Sequence, residues 1–208
     1  MGLWTERVLP HLVEACCGNS EMDRYRLRAL DGLGGTVLEI GFGSGLNAPL
    51  YPDDVTKVFA VEPSHTAREM ALPRVAATHA VVEFVGLDGQ AVPLPDASCD
   101  AALSTFTLCT IPDAGRALAE VRRVVRPGGT LHFLEHGLAP DDGVARWQRR
   151  LDGTQQRMAG GCHLTRDPLA MLGSAGLEVL GSESRYVRGP RPWTFFTWGR
   201  ARNPGAAA

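Results

Sequence analysis

The chain of 208 residues carries 44% hydrophobic and 21% charged residues, ordinary for a globular protein and enough apolar content for one full core. A net charge of −2 provides no basic surface for nucleic acid, and no apolar run reaches the length of a membrane span or the form of a signal peptide. The expectation is a soluble, cytoplasmic protein without nucleic-acid or membrane partners. Lys57 is the only lysine among 21 basic residues, a bias that suits a G+C-rich bacterial source. The cysteines number five, an odd count with no CxxC pair, which suggests neither a disulfide framework nor a zinc site. His132 and His136 sit on a strand-like run, where their spacing puts them roughly 13 Å apart, too far to share an ion. No metal is expected.

Residues 1–31 read as two helices. Val8, Leu9, Leu12 and Val13 recur at helical spacing, Gly18-Asn19-Ser20 breaks the pattern, and a second helix covers 21–30. Arg24, Arg26 and Arg28 are expected on a solvated face of that helix. Residues 36–45 then form an apolar strand running into a loop with glycine at every second position, followed by a short helix over 46–50. A second strand at 57–61 ends at Glu62-Pro63-Ser64, with Ser64 as N-cap of a helix carrying Ala67, Met70 and Ala71. A third strand at 81–85 leads to Leu87-Asp88-Gly89-Gln90. A fourth at 100–104 exits into Thr105-Phe106-Thr107-Leu108-Cys109.

Asp113 caps a helix with the stripe Ala117, Leu118, Val121, Val124 and Val125, stopped by Arg126-Pro127-Gly128-Gly129. A fifth strand at 130–134 has Glu135-His136 at its exit. A helix over 143–158 is expected to turn Val144, Trp147, Leu151 and Met158 to one face, and Thr165 to cap a short helix after it. Strands at 177–181 and 194–198 close the sheet. The pattern predicts an α/β, Rossmann-like doubly wound sheet of seven strands, mostly parallel with one antiparallel edge strand, and with N-terminal helices capping the site. It is a single domain, with residues 1–31 as cap, 32–202 as core and 203–208 as a flexible tail.

In such sheets ligands lie beyond the C-terminal strand ends. A dinucleotide fingerprint needs a third glycine at position 46, where Leu46 stands. Glu62 follows Gly45 by 17 residues, near where an acidic residue binds ribose hydroxyls in either case. Glu39 separates the candidates. A carboxylate beside this loop repels pyrophosphate but favours the ammonium and sulfonium of S-adenosylmethionine (SAM). A nicotinamide-dependent oxidoreductase is disfavoured on both counts.

Over about residues 35–135 the chain resembles the class I SAM-dependent methyltransferases. The matching pieces are Leu38-Glu39-Ile40-Gly41-Phe42-Gly43-Ser44-Gly45, Val61-Glu62-Pro63, Leu94-Pro95-Asp96-Ala97-Ser98-Cys99-Asp100 and Val124-Val125-Arg126-Pro127-Gly128-Gly129. The broad likeness is to the ubiquinone/menaquinone-biosynthesis type. A closer one, to methyltransferase-like thiol S-methyltransferases, extends through Thr107-Leu108-Cys109-Thr110, Phe133-Leu134-Glu135-His136, Trp147-Gln148 and Gly161-Cys162-His163-Leu164-Thr165-Arg166. The animal members carry a membrane-anchoring segment that has no counterpart in this sequence.

The resemblance implies that Gly41, Gly43 and Gly45 wrap the methionyl part of SAM, with Glu39 bound to water or to the ammonium. Glu62 would accept the ribose hydroxyls, Pro63 would lie against the adenine, and Asp88, Gly89 and Gln90 near its amine, with Thr105 at the neighbouring strand end. His136 is the expected general base. Thr107, Cys109, Trp147, His163 and Arg166 are expected around the acceptor, with Cys109 also readable as a buried small hydrophobe. The expected activity is methyl transfer from SAM to a small molecule, preferably a thiol, leaving S-adenosylhomocysteine and using no metal. O- or C-methylation of a phenol or quinol, and a non-catalytic SAM-binding protein, are the alternatives. The acceptor, the pathway and the oligomeric state stay open at this level.

Overall fold

A computed structural model describes residues 2–205 of the chain. Its centre is β1, Gly35–Ile40, whose successive side chains alternate between two buried faces. Leu38 and Ile40 enter one core, while Val37 enters the other, towards which Glu39 also points. β1 pairs in parallel with β2 (Val55–Val61) on one side and with β4 (Cys99–Thr105) on the other. With β3 (Val81–Gly86), β5 (Val125–His136), β6 (Glu178–Tyr186) and β7 (Phe195–Arg202) they form a seven-stranded sheet of order β3-β2-β1-β4-β5-β7-β6. β7 runs antiparallel to both its neighbours and lies one place in from the margin, where β6 is the edge. The doubly wound, mostly parallel class expected from the sequence is the observed one. The strand order reverses between β1 and β4, which places the ligand crevice there.

A π-helical turn at Trp4–Val8 precedes α1 (Leu9–Cys17) and α2 (Ser20–Ala29); α3 (His65–Ala77) follows β2, and α4 (Ala114–Val124) follows β4. α5 (Asp142–Met158) and α6 (Pro168–Ser174) lie between β5 and β6. On α4, Ala117, Leu118, Val121 and Val124 are at most 1% exposed, and the last three pack in one core with Leu38, Ile40, Leu131 and Phe133. Each such leucine or valine contributes roughly 1.5–3 kcal/mol by burial. Asp113 caps α4 through its Oδ1, which accepts from the Arg116 amide at 3.0 Å, and Arg122 and Arg123 complement the dipole at the other end. Ser64 likewise caps α3. α1 buries none of its residues, so it is a lid and not part of a core.

Several local expectations need correction. Arg26 is not solvated: it is 2% exposed, on the face of α2 that also buries Met22 and Ala29. Val125, assigned to the α4 stripe, instead opens β5 and pairs with Cys99, so Arg126–Gly129 lie within that strand. The stretch after the glycine loop yields only a 3-10 turn, Ala48–Leu50. On α5 the buried residues are Ala145 and Gln148, while Trp147 and Met158 are 56% and 61% exposed. The Gln148 amide accepts from the Ala139 N–H and donates to the Gly137 and Pro192 carbonyls, which makes a polar side chain the best filler of that space. Asp167, not Thr165, caps α6 through the Leu169 and Ala170 amides, ahead of Pro168 at the first helical position. Asn203 is buried, donating to the Arg122 and Val125 carbonyls, so the chain is anchored past β7; residues 206–208 of the expected tail lie outside the described residues. Among the described residues no helix is long and apolar enough to cross a membrane.

Candidate active site

The C-terminal ends of β1, β2 and β4 open into a cavity of about 810 Å³, within the size range of small-molecule sites. The glycine loop forms its floor, Glu62 and Pro63 one side, Thr105 to Thr107 the other, and Leu9, Val13 and Arg26 its roof. The roof is tied down at three points. Glu6 accepts from the Thr66 amide at 3.0 Å, Trp4 Nε1 donates to the Met158 carbonyl at 2.8 Å, and Glu14 bonds Arg74 and the Ser44 hydroxyl on the glycine loop. The expected N-terminal cap is therefore present.

Gly41 and Gly43 line the cavity with φ of 71° and 57°, a region open to glycine and strained for other residues. A Cβ on Gly41 would lie 2.1 Å from Thr107 Oγ1, so this turn and the β4 exit can touch only without a side chain there. A Cβ on Gly43 would meet nothing closer than the Gly41 carbonyl at 4.0 Å. That open space beside bare backbone is a cradle a ligand can fill. Gly45 does not line the cavity; it lets the turn pack against Phe42 and Ala71.

Glu39 is not in the cavity either. It is fully buried beneath it, accepting from Asn47 Nδ2 at 2.8 Å and from the Tyr51 hydroxyl at 2.5 Å. Burial raises its carboxyl from the ordinary 4.5 to about 7, against the lowering effect of those two donors and of Arg26. Its influence reaches the cavity through Asn47, which does line it. Asn47 Nδ2 is held by Glu39 and by Thr105 Oγ1 at 2.9 Å, while its buried Oδ1 has no partner among the described residues. The site thus keeps one acceptor in reserve for a donor such as an ammonium. Arg26 supplies the opposite charge in the same wall: its Nη1 donates to the Cys17 carbonyl at 2.7 Å, and its guanidinium lies 5.8 Å from the centre of the Phe106 ring. Neither Arg26 nor Asn47 was singled out in the sequence. The signal for Arg26 was an arginine at helical spacing from Met22 and Ala29; Asn47 carried none.

Glu62, at the exit of β2, accepts from the Gly43 amide at 2.7 Å and the Ser64 amide at 2.8 Å, one on each oxygen. Burial raises its carboxyl although both amides lower it. Each oxygen retains acceptor capacity towards the cavity, as a ribose diol requires. Pro63, Asp88, Gly89 and Gln90 line the same end. Asp88 Oδ1 is taken up by the Gln90 backbone and side-chain amides, and Gln90 Oε1 accepts from the Asp113 amide, so this loop closes partly on itself.

At the other end, Phe106 adopts φ 53°, an uncommon conformation of the kind found at binding sites. It is fixed by Glu135, whose Oε1 accepts from Ser104 Oγ and from the Thr107 and Leu108 amides. Arg166 does not line the cavity. It braces the following turn from behind, donating to the Leu108, Ile111 and Pro112 carbonyls, and faces a separate groove between α4 and α6. Trp147 is on the outer surface of α5, under Arg150. His136 and Cys109 do not line the cavity; His136 Nε2 lies 3.0 Å from Cys162 Sγ, with Cys109 beyond.

His163 does line it, and among the described residues its Nε2 has no hydrogen-bond partner. Its Nδ1 accepts from Gln156 Nε2 at 3.0 Å, and Asp152 Oδ2, which also accepts from Gln156, is 3.5 Å away. With Nδ1 accepting, the ring proton sits on Nε2. Of the expected residues, the fold therefore brings together Gly41, Gly43, Glu62, Pro63, Asp88, Gly89, Gln90, Thr105, Thr107 and His163, and leaves Glu39, Gly45, Cys109, His136, Trp147 and Arg166 outside the cavity wall.

A methyltransferase-domain model matches residues 38–133. Thiol S-methyltransferase TMT1B of Homo sapiens is 34% identical over 173 residues, covering 80% of this chain and 69% of that protein. Thiol S-methyltransferase TMT1B of Rattus norvegicus is 37% identical over 136 residues, covering 64% of this chain but only 55% of its own length. Among solved structures, the cyclase SpnF superposes with a TM-score of 0.71 at 21% identity, covering 89% of this chain and 82% of that one, a likeness of fold alone. With the human relative's identity and coverage added to the glycine loop, the ribose-side carboxylate and the sheet order, the chain belongs to the SAM-dependent methyltransferases.

Proposed function

We propose that the protein binds SAM in this cavity and transfers its methyl group to a small apolar thiol. The observation that carries the reading is the meeting, in one cavity, of the Gly41–Gly43 cradle, Glu62, the Asn47 Oδ1 that has no partner among the described residues, and His163. The residues fit the cofactor's charges. Arg26 would hold the methionyl carboxylate, Asn47 Oδ1 would accept from the ammonium, and Glu62 would accept from the ribose hydroxyls, with Pro63 and the Asp88–Gln90 loop beside the adenine.

When bound, SAM supplies a methyl carbon activated by the adjoining sulfonium. The protein's own share is alignment, exclusion of water and support of the nucleophile. A thiol of pKa about 8.5 is ionised to a few per cent at neutral pH, and His163 Nε2–H, donated to the sulfur, enlarges that fraction. The thiol proton would leave to solvent, and the chemistry that bound SAM would supply is a new bond from the thiolate to its methyl carbon as the methyl–sulfonium bond breaks, giving a thioether and S-adenosylhomocysteine. This moves the acceptor-activating role from His136 to His163, the imidazole that lines the cavity. The relatives named as thiol S-methyltransferases support the choice of acceptor.

The test is transfer of labelled methyl from SAM to a panel of alkyl thiols, phenols and quinols. Turnover confined to thiols supports the reading. Turnover of a phenol or quinol with every thiol inert overturns the acceptor. SAM binding with no turnover on any acceptor overturns catalysis and leaves a SAM-binding protein.

A further inference from the structure

Three residues with no part in the methyl-transfer site converge behind it. Cys109 comes from the turn after β4, His136 from the exit of β5, and Cys162 from the segment after α5. Cys109 and Cys162 are buried at 3% and 8% exposure. His136 Nε2 lies 3.0 Å from Cys162 Sγ, Cys162 Sγ lies 3.8 Å from Cys109 Sγ, and the three ligand atoms all fall within 4.8 Å of one another.

Tetrahedral zinc, with Zn–S of about 2.3 Å and Zn–N of about 2.0 Å, separates paired sulfurs by about 3.8 Å and a sulfur and nitrogen by about 3.5 Å. The observed sulfur pair is already at that distance, and the imidazole, 3.0 Å from Cys162 Sγ and within 4.8 Å of Cys109 Sγ, reaches the tetrahedral spacing by a shift away from the first sulfur and towards the second. The elements are held independently of any ion. β5 fixes His136 by pairing with β7, the Cys109 carbonyl accepts from the His163 amide at 2.9 Å, and Arg166 braces the turn around Cys109. Two thiolates and a neutral imidazole around Zn²⁺ sum to zero charge, the combination a buried site tolerates best.

We propose that Cys109, His136 and Cys162 form a binding site for one zinc ion, with the fourth tetrahedral position left to water or a small ligand. Binding forms two Zn–S bonds and one Zn–N bond, and releases the two thiol protons to solvent. Thr110, Gly161 and His163, the chain neighbours of the two cysteines, line the cavity, so the ion sits against its acceptor end. The inference concerns metal binding alone and stands whether or not the acceptor is a thiol.

The test is titration of the reduced, metal-free protein with Zn²⁺ against a chromophoric chelator, paralleled by Co²⁺ spectroscopy. One equivalent of Zn²⁺ should bind, and Co²⁺ should give thiolate-to-metal charge transfer with tetrahedral visible bands. Both should be lost in Cys162→Ser and retained in a Cys16→Ser/Cys17→Ser double variant, which removes the more accessible cysteines. Zn²⁺ should also raise the Tm of the wild type but not of Cys162→Ser. Should Cys162→Ser fail to fold, the wild-type cobalt spectrum decides alone. Absence of the charge-transfer band, or its loss in the Cys16→Ser/Cys17→Ser variant, overturns the site.

Discussion

Replacing Glu39 by glutamine should stabilise the cofactor-free protein at alkaline pH while weakening SAM binding. Glu39 is fully buried, and its carboxyl is raised from 4.5 to about 7. Below pH 4.5 the group is protonated both folded and unfolded and adds no pH dependence. Between 4.5 and 7 the folded state holds the proton longer, so stability falls as pH rises; above 7 the full penalty is present. Holding that carboxyl at about 7 instead of 4.5 corresponds to roughly 3 kcal/mol. Glu62 and Glu135 are also raised, but they titrate in both proteins and cancel in the difference. Urea unfolding of wild type and Glu39→Gln from pH 4.5 to 8 should therefore show the variant gaining about 3 kcal/mol relative to wild type across the range. Calorimetry at pH 8 should show weaker SAM binding, since the anionic support behind Asn47 is gone. A stability difference that stays flat with pH would refute the burial argument, and unchanged affinity would refute the electrostatic link through Asn47.

Other expectations are as direct. Gly41→Ala puts a Cβ 2.1 Å from Thr107 Oγ1 at φ 71°, and should destabilise by about 1–3 kcal/mol and abolish SAM binding, read by thermal shift and calorimetry. Asn47→Ala removes a donor from buried Glu39 together with the reserved Oδ1 acceptor, and should cost about 1–3 kcal/mol of stability along with most of the SAM affinity. His163→Ala should lower kcat/KM for an alkyl thiol by about 10- to 100-fold, the worth of one hydrogen bond to a charged group. An aryl thiol already ionised at neutral pH should suffer less, and an equal loss on both would point to a packing role instead.

The parts of the molecule legible in the sequence are those governed by local periodicity. Alternation of apolar strands with capped helices fixes the class, and Ser64 and Asp113 cap where their side chains suggest. The glycine loop and Glu62 are readable because backbone conformation and strand-end position are local properties. Arg26 is not legible as buried because its charge argues for the surface, although its helical spacing matches Met22 and Ala29. Gln148 shifts the buried face of α5 because its partners, Gly137 and Ala139 before the helix and Pro192 far along the chain, are set by the fold and not by the helix's own periodicity. Glu39 is legible as the carboxylate that separates the candidate ligands, but its separation from the cavity depends on Asn47 and Tyr51 folding back over it. The convergence of Cys109, His136 and Cys162 is likewise invisible in sequence, where 26 residues separate His136 from Cys162 and 53 separate the two cysteines.

Calorimetric titration of the purified protein with SAM and with S-adenosylhomocysteine bears most directly on the central claim. Both should bind at one site per chain, and the single substitution Glu62→Ala, which removes the proposed ribose acceptor, should abolish or greatly weaken both. Failure of the wild type to bind either compound would contradict the account at its foundation.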